Sequence, residues 1–245
     1  MKNKVSFDST LTKFGIGLFE TIKVKEEPIE LDLHMDRMFN SIKELNLNFK
    51  YEKEFLKTEV LTYIKENQIF DKALRLTVFD DGYNIYIRDI PYNEKVYKTG
   101  FKLNISPIKR GNSIIHKHKT TNYFESIYTK NYAIENGYDD GLFIDLNNTI
   151  LECSMSNIFF IKDKKIFTPN SKLSILNGTT KRRIIEICGE LDIEVEEAEI
   201  KLKQIEEFDF AFVSNSLMGM MKITQIEEIK YNEYNELFNK ISSFL

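Results

Sequence analysis

Four short strand patterns follow one another between residues 141 and 168, with no helical pattern between them. A doubly wound parallel sheet needs a helix after nearly every strand, so this stretch departs from strict strand–helix alternation. Elsewhere the chain interleaves strand patterns with amphipathic helical patterns. We therefore predict a mixed α and β (α+β) fold. The four strands are predicted at residues 141–145, 149–153, 157–162 and 165–168.

A polar segment near the middle of the chain predicts a domain boundary. Residues 108–117 include Gly111 and show no apolar period, which is typical of a connecting loop. A chain of 245 residues is long enough for one large domain or two small ones. We predict an N-terminal domain of residues 1–107 and a C-terminal domain of residues 118–245, joined by that loop.

Charge and composition narrow the classes of partner. The net charge is −4 with acids and bases interspersed, so no basic stripe predicts nucleic-acid binding. The longest apolar runs, such as residues 158–161, are far shorter than the ~20 residues that span a bilayer. The first residues lack the apolar core of a signal peptide. Two cysteines, without Cys-x-x-Cys or His-Glu-x-x-His spacing, predict no metal site and a reduced, cytoplasmic protein.

Three elements that a pyridoxal phosphate site needs occur in order along the chain. Lys119 offers an amine for the cofactor aldehyde, and Glu152 offers a carboxylate for the ring nitrogen. Thr179 and Thr180 open a predicted helix directly after Gly178. Helix N-termini present N–H groups and a partial positive charge to a phosphate. The ordered set therefore predicts this cofactor.

Each residue of the set also has an ordinary interpretation. Most lysines are solvated surface residues, and Lys119 fits that description too. Lys117, two residues earlier, competes with it for the same role. Glu152 fits a strand-end surface glutamate, and threonine is simply a good helix N-cap. Arg37 is a candidate second phosphate ligand because guanidinium matches that anion, although alone it is an ordinary surface arginine. Residues 214–219 are either a simple turn or a further part of the phosphate site.

Six short motifs stand in a fixed order from Phe14 to about Ile223. They are Phe14-Gly15-x-Gly17-Leu18-Phe19-Glu20-Thr21, His34-x-x-Arg37, Lys119-x-x-Asn122-Tyr123, Gly137-x-Asp139-Asp140-Gly141, Glu152-x-Ser154-x-Ser156-Asn157-x-Phe159 and Leu176-x-Gly178-x-Thr180. Together they resemble the class IV aminotransferases, which are the fold-type IV pyridoxal phosphate enzymes. The resemblance implies a two-domain architecture with the cofactor in the inter-domain cleft, a small-molecule amino substrate and a homodimer.

The resemblance also implies a role for each candidate residue. It implies that Lys119 bonds covalently to the cofactor aldehyde and moves protons during the reaction. Glu152 would then pair with the ring nitrogen, and Tyr123 would hydrogen-bond the ring 3-hydroxyl. The implied phosphate ligands are Arg37, Thr179, Thr180 and Ser216.

Two segments resemble one subgroup of the family. Asn215-Ser216-Leu217 and Phe19-Glu20-Thr21 resemble the 4-amino-4-deoxychorismate lyases more than the transaminases. The Arg-x-His pair of D-amino-acid enzymes is absent after Asp80-Asp81-Gly82. Arg75 matches a position that holds an arginine in branched-chain enzymes. It is therefore either a ligand for a substrate carboxylate or a paired strand arginine.

The leading expectation is a lyase that eliminates pyruvate and forms 4-aminobenzoate for folate synthesis. The alternative is a branched-chain or other amino acid aminotransferase that passes the amino group to 2-oxoglutarate. A third interpretation is a binding or scaffold protein that has lost turnover. Such a protein would normally lack Lys119 or Glu152, and both are present here.

Overall fold

The computed structural model describes all residues from Met1 to Leu245. They form two compact units, each built on its own sheet. Unit 1 comprises Met1–Pro91 and His118–Tyr123, and unit 2 comprises Tyr92–Lys117 and Phe124–Leu245. Every helix is either too short or too polar to serve as a transmembrane segment.

Unit 1 is a three-stranded antiparallel sheet with helices packed on one face. Its strands, adjacent in chain order, are β1 (Leu18–Val24), β2 (Lys72–Phe79) and β3 (Gly82–Arg88). Its helices are α1 (Thr10–Phe14), α2 (Leu31–Glu44) and α3 (Lys53–Glu66). Asp80 and Asp81 join β2 to β3 in the hairpin that the sequence predicts.

The side chains of β1 and β2 alternate between two different environments. Leu18 and Ile22 point toward α2 and α3 and join Met35 and Val60 in one buried cluster. The intervening positions lie on the opposite face of the sheet, where most of the side chains are polar. This second face includes Phe19, Thr21, Lys23, Arg75, Thr77, Tyr86 and Arg88.

Unit 2 contains nine strands in one sheet, four helices and two short 3₁₀ segments. Its strands are β4 (Phe101–Arg110), β5 (Asp140–Asp145), β6 (Ile150–Cys153), β7 (Asn157–Lys162), β8 (Lys165–Pro169), β9 (Val195–Ala198), β10 (Phe210–Asn215), β11 (Gly219–Ile226) and β12 (Ile229–Lys230). Its helices are α4 (Glu94–Thr99), α5 (Phe124–Glu135), α6 (Thr179–Glu190) and α7 (Glu236–Ser242), and its 3₁₀ segments are Ile114–Lys117 and Leu202–Glu207.

The sheet of unit 2 mixes parallel and antiparallel pairs. The strand order is β6-β5-β4-β11-β10-β7-β8-β9, with β12 paired to β11. β4 runs parallel to both β5 and β11, whereas β10 runs antiparallel to β7 and β11. This arrangement confirms the predicted mixed α and β fold. Phe159 and Phe212 stack in its core with their ring centroids 4.7 Å apart.

The units differ from the predicted domains of residues 1–107 and 118–245. Residues 108–110 complete β4, which pairs on both sides inside unit 2, so this part of the predicted connecting loop is strand. Apolar periodicity does not reveal the end of β4 because three of its buried side chains, Asn104, Ser106 and Arg110, are polar. Residues 118–123 pair with β1 and therefore belong to unit 1.

Candidate active site

Backbone hydrogen bonds to β1 position Lys119 in unit 1. Phe19 N donates to Lys119 O at 2.9 Å, and Thr121 N donates to Gly17 O at 2.8 Å. A side chain at Gly17 would bring its Cβ within 2.9 Å of the Val78 carbonyl oxygen, so only glycine allows this close approach. The lysine backbone is therefore held as firmly as a strand residue.

The Lys119 side chain lies against two aromatic rings. Its Nζ is 4.6 Å from the centroid of Phe19 and 5.4 Å from the centroid of Tyr123. The two rings meet edge to face, with centroids 5.2 Å apart. Lys119 is half-buried. An amine packed in this way has a fixed position and limited hydration, which are the two properties that a reactive lysine needs.

Arg37, a predicted phosphate ligand, belongs to a buried charge cluster around Glu20. Its Nε donates to Oε1 of Glu20 at 2.8 Å, and its Nη2 donates to Oε2 at 2.5 Å. His34 Nδ1 lies 2.7 Å from Oε2. Burial raises the pKa of Glu20, but Arg37 and His34 more than offset this and hold that pKa at about 2. The bidentate pair fixes the direction of the Arg37 guanidinium.

We expect Glu20→Gln to lower the free energy of unfolding by about 3–5 kcal/mol, because Arg37 and His34 stay buried without their carboxylate. The folded pKa of Glu20 lies below its ordinary value of 4.5, so its contribution is complete above that pH and is lost as the pH falls toward 2. Urea unfolding at several pH values across this window measures the effect. The wild-type stability should fall across it, and equal slopes for wild type and variant would contradict the prediction.

Arg75 lies on the polar face of the unit 1 sheet without an acidic partner. Its guanidinium carbon is 3.6 Å from the Phe19 ring centroid, and its Nε is 3.5 Å from Thr77 Oγ1. Burial lowers the pKa of Arg75, nearby Arg88 adds to this, and Tyr123 opposes it. The sequence allows Arg75 to be either a ligand for a substrate carboxylate or a paired strand arginine. The second interpretation requires an acidic partner, and Arg75 has none in the structure.

Glu152 lies near the end of β6 in unit 2, where two donors hold its carboxylate. Arg110 donates Nη1 to Oε1 at 2.7 Å, and Leu176 N donates to Oε2 at 3.1 Å. Arg110 is itself buried, stacked 3.5 Å from the Phe143 centroid, and its Nε contacts Glu125 at 3.3 Å. A hydrogen bond from a buried guanidinium fixes the direction of the carboxylate.

The start of α6 has the properties of a phosphate site. Gly178 is the N-cap and no side chain caps the helix. Thr179 and Thr180 are only 3% and 6% exposed. The first N–H groups of a helix have no intrahelical acceptor, so a buried, uncapped start needs an external acceptor. Phosphate supplies such an acceptor and is favoured by the helix dipole.

Ser216 belongs to a turn between β10 and β11 that Asn215 organises. Asn215 Oδ1 accepts from Leu217 N and Met218 N, each at 3.0 Å. Asn215 Nδ2 donates to Tyr92 Oη and to the Met155 carbonyl oxygen, each at 3.2 Å. The turn is therefore rigid, and it is tied to the loop that follows Glu152.

The structure places the candidate residues in two groups. Unit 1 contains the predicted residues Arg37, Arg75, Lys119 and Tyr123, and unit 2 contains Glu152, Thr179, Thr180 and Ser216. Three further residues hold or adjoin these groups although the sequence predicts no role for them, namely Glu20, Arg110 and Asn157. Glu20 and Asn157 both stand inside the six motifs. For Glu20 the sequence also contains a signal, because it is a charged residue within an apolar strand.

Comparisons with known proteins find similarity over most of the chain. A family model described as "Amino-transferase class IV" matches residues 17–226. A "Probable branched-chain-amino-acid aminotransferase" of Rickettsia felis is 32% identical over 213 residues, which cover 81% of this chain and 73% of the relative. The "Aminodeoxychorismate lyase" of Bacillus subtilis is 25% identical over 235 residues, which cover 89% of this chain and 80% of the relative.

A solved structure supports the same fold. The T.th. branched-chain amino acid aminotransferase, determined with pyridoxamine 5′-phosphate, matches with a TM-score of 0.90. The match covers 99% of this chain and 88% of that chain at 21% sequence identity. At this identity the similarity establishes the fold.

Proposed function

Since the chain belongs to the class IV aminotransferase family, we propose that it is a 4-amino-4-deoxychorismate lyase, which releases pyruvate and forms the folate precursor 4-aminobenzoate. Enzymes of this family use pyridoxal 5′-phosphate, and this is the cofactor of the chain. Two features support the lyase in particular: the Asn215-Ser216-Leu217 turn and the polar face of the unit 1 sheet.

The observation that carries the lyase assignment is the cationic character of that face. Thr21, Arg75 and Tyr86 form one cross-strand row, and Lys23 and Arg88 lie in the next. Aminodeoxychorismate has two carboxylates, whereas a branched-chain amino acid has one carboxylate and an apolar side chain. Arg75 matches an arginine of branched-chain enzymes and would bind one carboxylate, so it does not by itself separate the two substrates. Lys23 and Arg88, one row further along the same face, add the cations that suit a second carboxylate.

The residues present fit the cofactor. The buried, uncapped start of α6 suits the phosphate, so we assign Thr179 and Thr180 to it, together with Ser216 and Arg37. When bound, the cofactor supplies an electron sink for the reaction. We assign Glu152 to the ring nitrogen, because the hydrogen bond from the Arg110 guanidinium holds its carboxylate in a fixed direction.

Lys119 would do the proton chemistry. Its Nζ is the amine that would hold the cofactor through its aldehyde, and it would be free for proton transfer once the substrate amine takes that place. The free Nζ then takes the proton from ring carbon 4 of the substrate, while the carbon–oxygen bond to the enolpyruvyl group on the neighbouring carbon breaks. The departing enolpyruvate takes up a proton and becomes pyruvate, and the ring becomes aromatic. Phe19 and Tyr123 hold Nζ in place for this transfer.

A product assay tests the lyase. Purified protein with pyridoxal phosphate is mixed with aminodeoxychorismate, and pyruvate is followed by coupled lactate dehydrogenase. We expect pyruvate and 4-aminobenzoate in equal amounts, with no need for an oxo acid. Absence of pyruvate together with rapid glutamate formation from 2-oxoglutarate would contradict the lyase.

An aminotransferase is the second candidate, and the Rickettsia felis relative at 32% identity favours it. In that reaction Lys119 would move a proton from the substrate Cα, and 2-oxoglutarate would accept the amino group. Incubation with leucine alone distinguishes the two. An aminotransferase loses the absorbance of the lysine-bound cofactor as the amino group is transferred, whereas a lyase keeps it.

We also propose that the chain forms a homodimer. Three large side chains at the start of α5 are exposed, namely Phe124 (74%), Ile127 (47%) and Tyr128 (47%). Clustered exposed apolar side chains are typical of protein–protein contact surfaces. Light scattering that gives the mass of one chain at micromolar concentration would contradict this proposal.

A further inference from the structure

Asn157 is a half-buried residue that the proposed chemistry does not use. It begins β7, and its backbone pairs in register with Ser214 at the end of β10. Its side-chain Nδ2 donates to the Ser214 carbonyl oxygen at 2.9 Å and lies 3.0 Å from Ser214 Oγ. Ser214 leads directly into the turn that contains Ser216. The amide of Asn157 therefore fixes one side of that turn.

The same amide packs against the start of α6. A Cβ built on Gly178 would lie 2.2 Å from Asn157 Oδ1 and 2.8 Å from Asn157 Nδ2, so a side chain at this position requires the Asn157 amide to shift. Gly178 has φ −66° and ψ 133°, a conformation that any residue adopts. Space for Asn157, rather than backbone freedom, is therefore what requires glycine here.

We propose that Asn157 is a positioning residue that sets the distance between the start of α6 and the Ser216 turn, so that both bind one phosphate dianion. The inference rests on the proposed cofactor site. Both elements are short and polar, and each has its own local hydrogen bonds. Through one planar group, Asn157 donates Nδ2 to Ser214, the residue that leads into the turn, and lies with Oδ1 against Gly178, the N-cap of α6. A planar amide transmits a fixed spacing because it has no internal freedom beyond its two side-chain torsions.

The first test compares the affinity of the full chain for pyridoxal phosphate with its affinity for pyridoxal. Both compounds have the aldehyde that Lys119 would bind, so the ratio of the two dissociation constants isolates the phosphate. We expect Asn157→Ala to weaken pyridoxal phosphate binding about tenfold or more, since two hydrogen-bond contacts and the spacing are lost. Pyridoxal binding should change less than about twofold. Absorbance titration measures both constants without any turnover.

Asn157→Asp is the matched variant. It keeps the size of the side chain and an oxygen near Gly178, but it replaces the Nδ2 donor to Ser214 by a charged acceptor. We expect it to weaken phosphate-dependent binding at least as much as Asn157→Ala does. Because the shape is kept, this variant also tests the proposal if the alanine variant fails to fold. Equal losses of affinity for pyridoxal phosphate and for pyridoxal in both variants would overturn the proposal, because they indicate a general structural role.

A double-mutant cycle tests the contact itself. Gly178→Ala places a methyl group against Asn157 and should weaken pyridoxal phosphate binding by about tenfold or more. In the Asn157→Ala background the clash is gone, so Gly178→Ala should then cost less than about twofold. An equal cost in both backgrounds would overturn the proposal. A wild-type chain that binds pyridoxal phosphate no better than pyridoxal would instead refute the cofactor assignment on which it rests.

Discussion

Lys119→Ala should lower the lyase turnover by a factor of at least about 10²–10⁴, the usual contribution of a positioned general base. The variant loses the amine that bonds to the aldehyde and also the group that takes the proton from ring carbon 4. No second amine is expected to replace it, because the backbone of the 118–123 segment is fixed to β1 by hydrogen bonds. Pyruvate release and the absorbance of the lysine-bound cofactor measure the two losses separately.

Lys117→Ala is the control for this prediction. Lys117 stands two residues away, is exposed, and ends the 3₁₀ segment Ile114–Lys117. It competes with Lys119 on sequence grounds, so the comparison identifies which lysine reacts. We expect the Lys117 variant to keep wild-type turnover within about twofold, as surface substitutions usually do. The opposite ranking, with Lys117→Ala inactive and Lys119→Ala active, would contradict the assignment.

The sequence located Lys119 by its motif, but it did not predict what holds the lysine. Its neighbours Phe19 and Gly17 lie one hundred residues earlier in the chain. The backbone pairing between the 118–123 segment and β1 depends on tertiary structure that local periodicity does not contain. The same pairing explains why the six-residue segment belongs to unit 1 although its chain neighbours belong to unit 2.

Polar residues at buried positions limited the prediction in the middle of the chain. Ser106 and Arg110 lie in β4, a strand that pairs on both sides, yet their polarity resembles that of a loop. Arg110 can be buried because it has two partners, the Glu152 carboxylate and the Phe143 ring. An arginine with distant partners leaves no local pattern, so the predicted connecting loop 108–117 included it.

Gly178 has a structural role that the spacing of its motif does not predict. In the sequence, Gly178 stands directly before the threonine pair of the predicted phosphate site. The structure adds that Asn157 occupies the space where a side chain would project. Two motifs that are 21 positions apart in sequence, by the residue numbers, are thus complementary in shape. A single sequence does not reveal this contact, because each of the two motifs has a sufficient explanation of its own.

Glu152→Gln should lower turnover about 10²–10³-fold, comparable to removal of one preorganised electrostatic group from an active site. Glutamine has nearly the same shape, and its amide oxygen still accepts from Arg110. It has no charge with which to keep a proton on the ring nitrogen, so the cofactor becomes a weaker electron sink. Turnover should therefore fall more than cofactor affinity does, and titration of the absorbance with pyridoxal phosphate distinguishes the two.

Glu125→Gln is the matched control, because Glu125 is the other carboxylate that contacts Arg110. Its Oε2 lies 3.3 Å from Arg110 Nε, and its side chain is 46% exposed, against 14% for Glu152. Both substitutions remove one negative charge from the same guanidinium, but only one removes the proposed partner of the ring nitrogen. If Glu152 acts on the cofactor, Glu125→Gln should keep turnover within about threefold, since exposed ion pairs contribute little. Equal losses in the two variants would instead show that Glu152 acts only by neutralising Arg110.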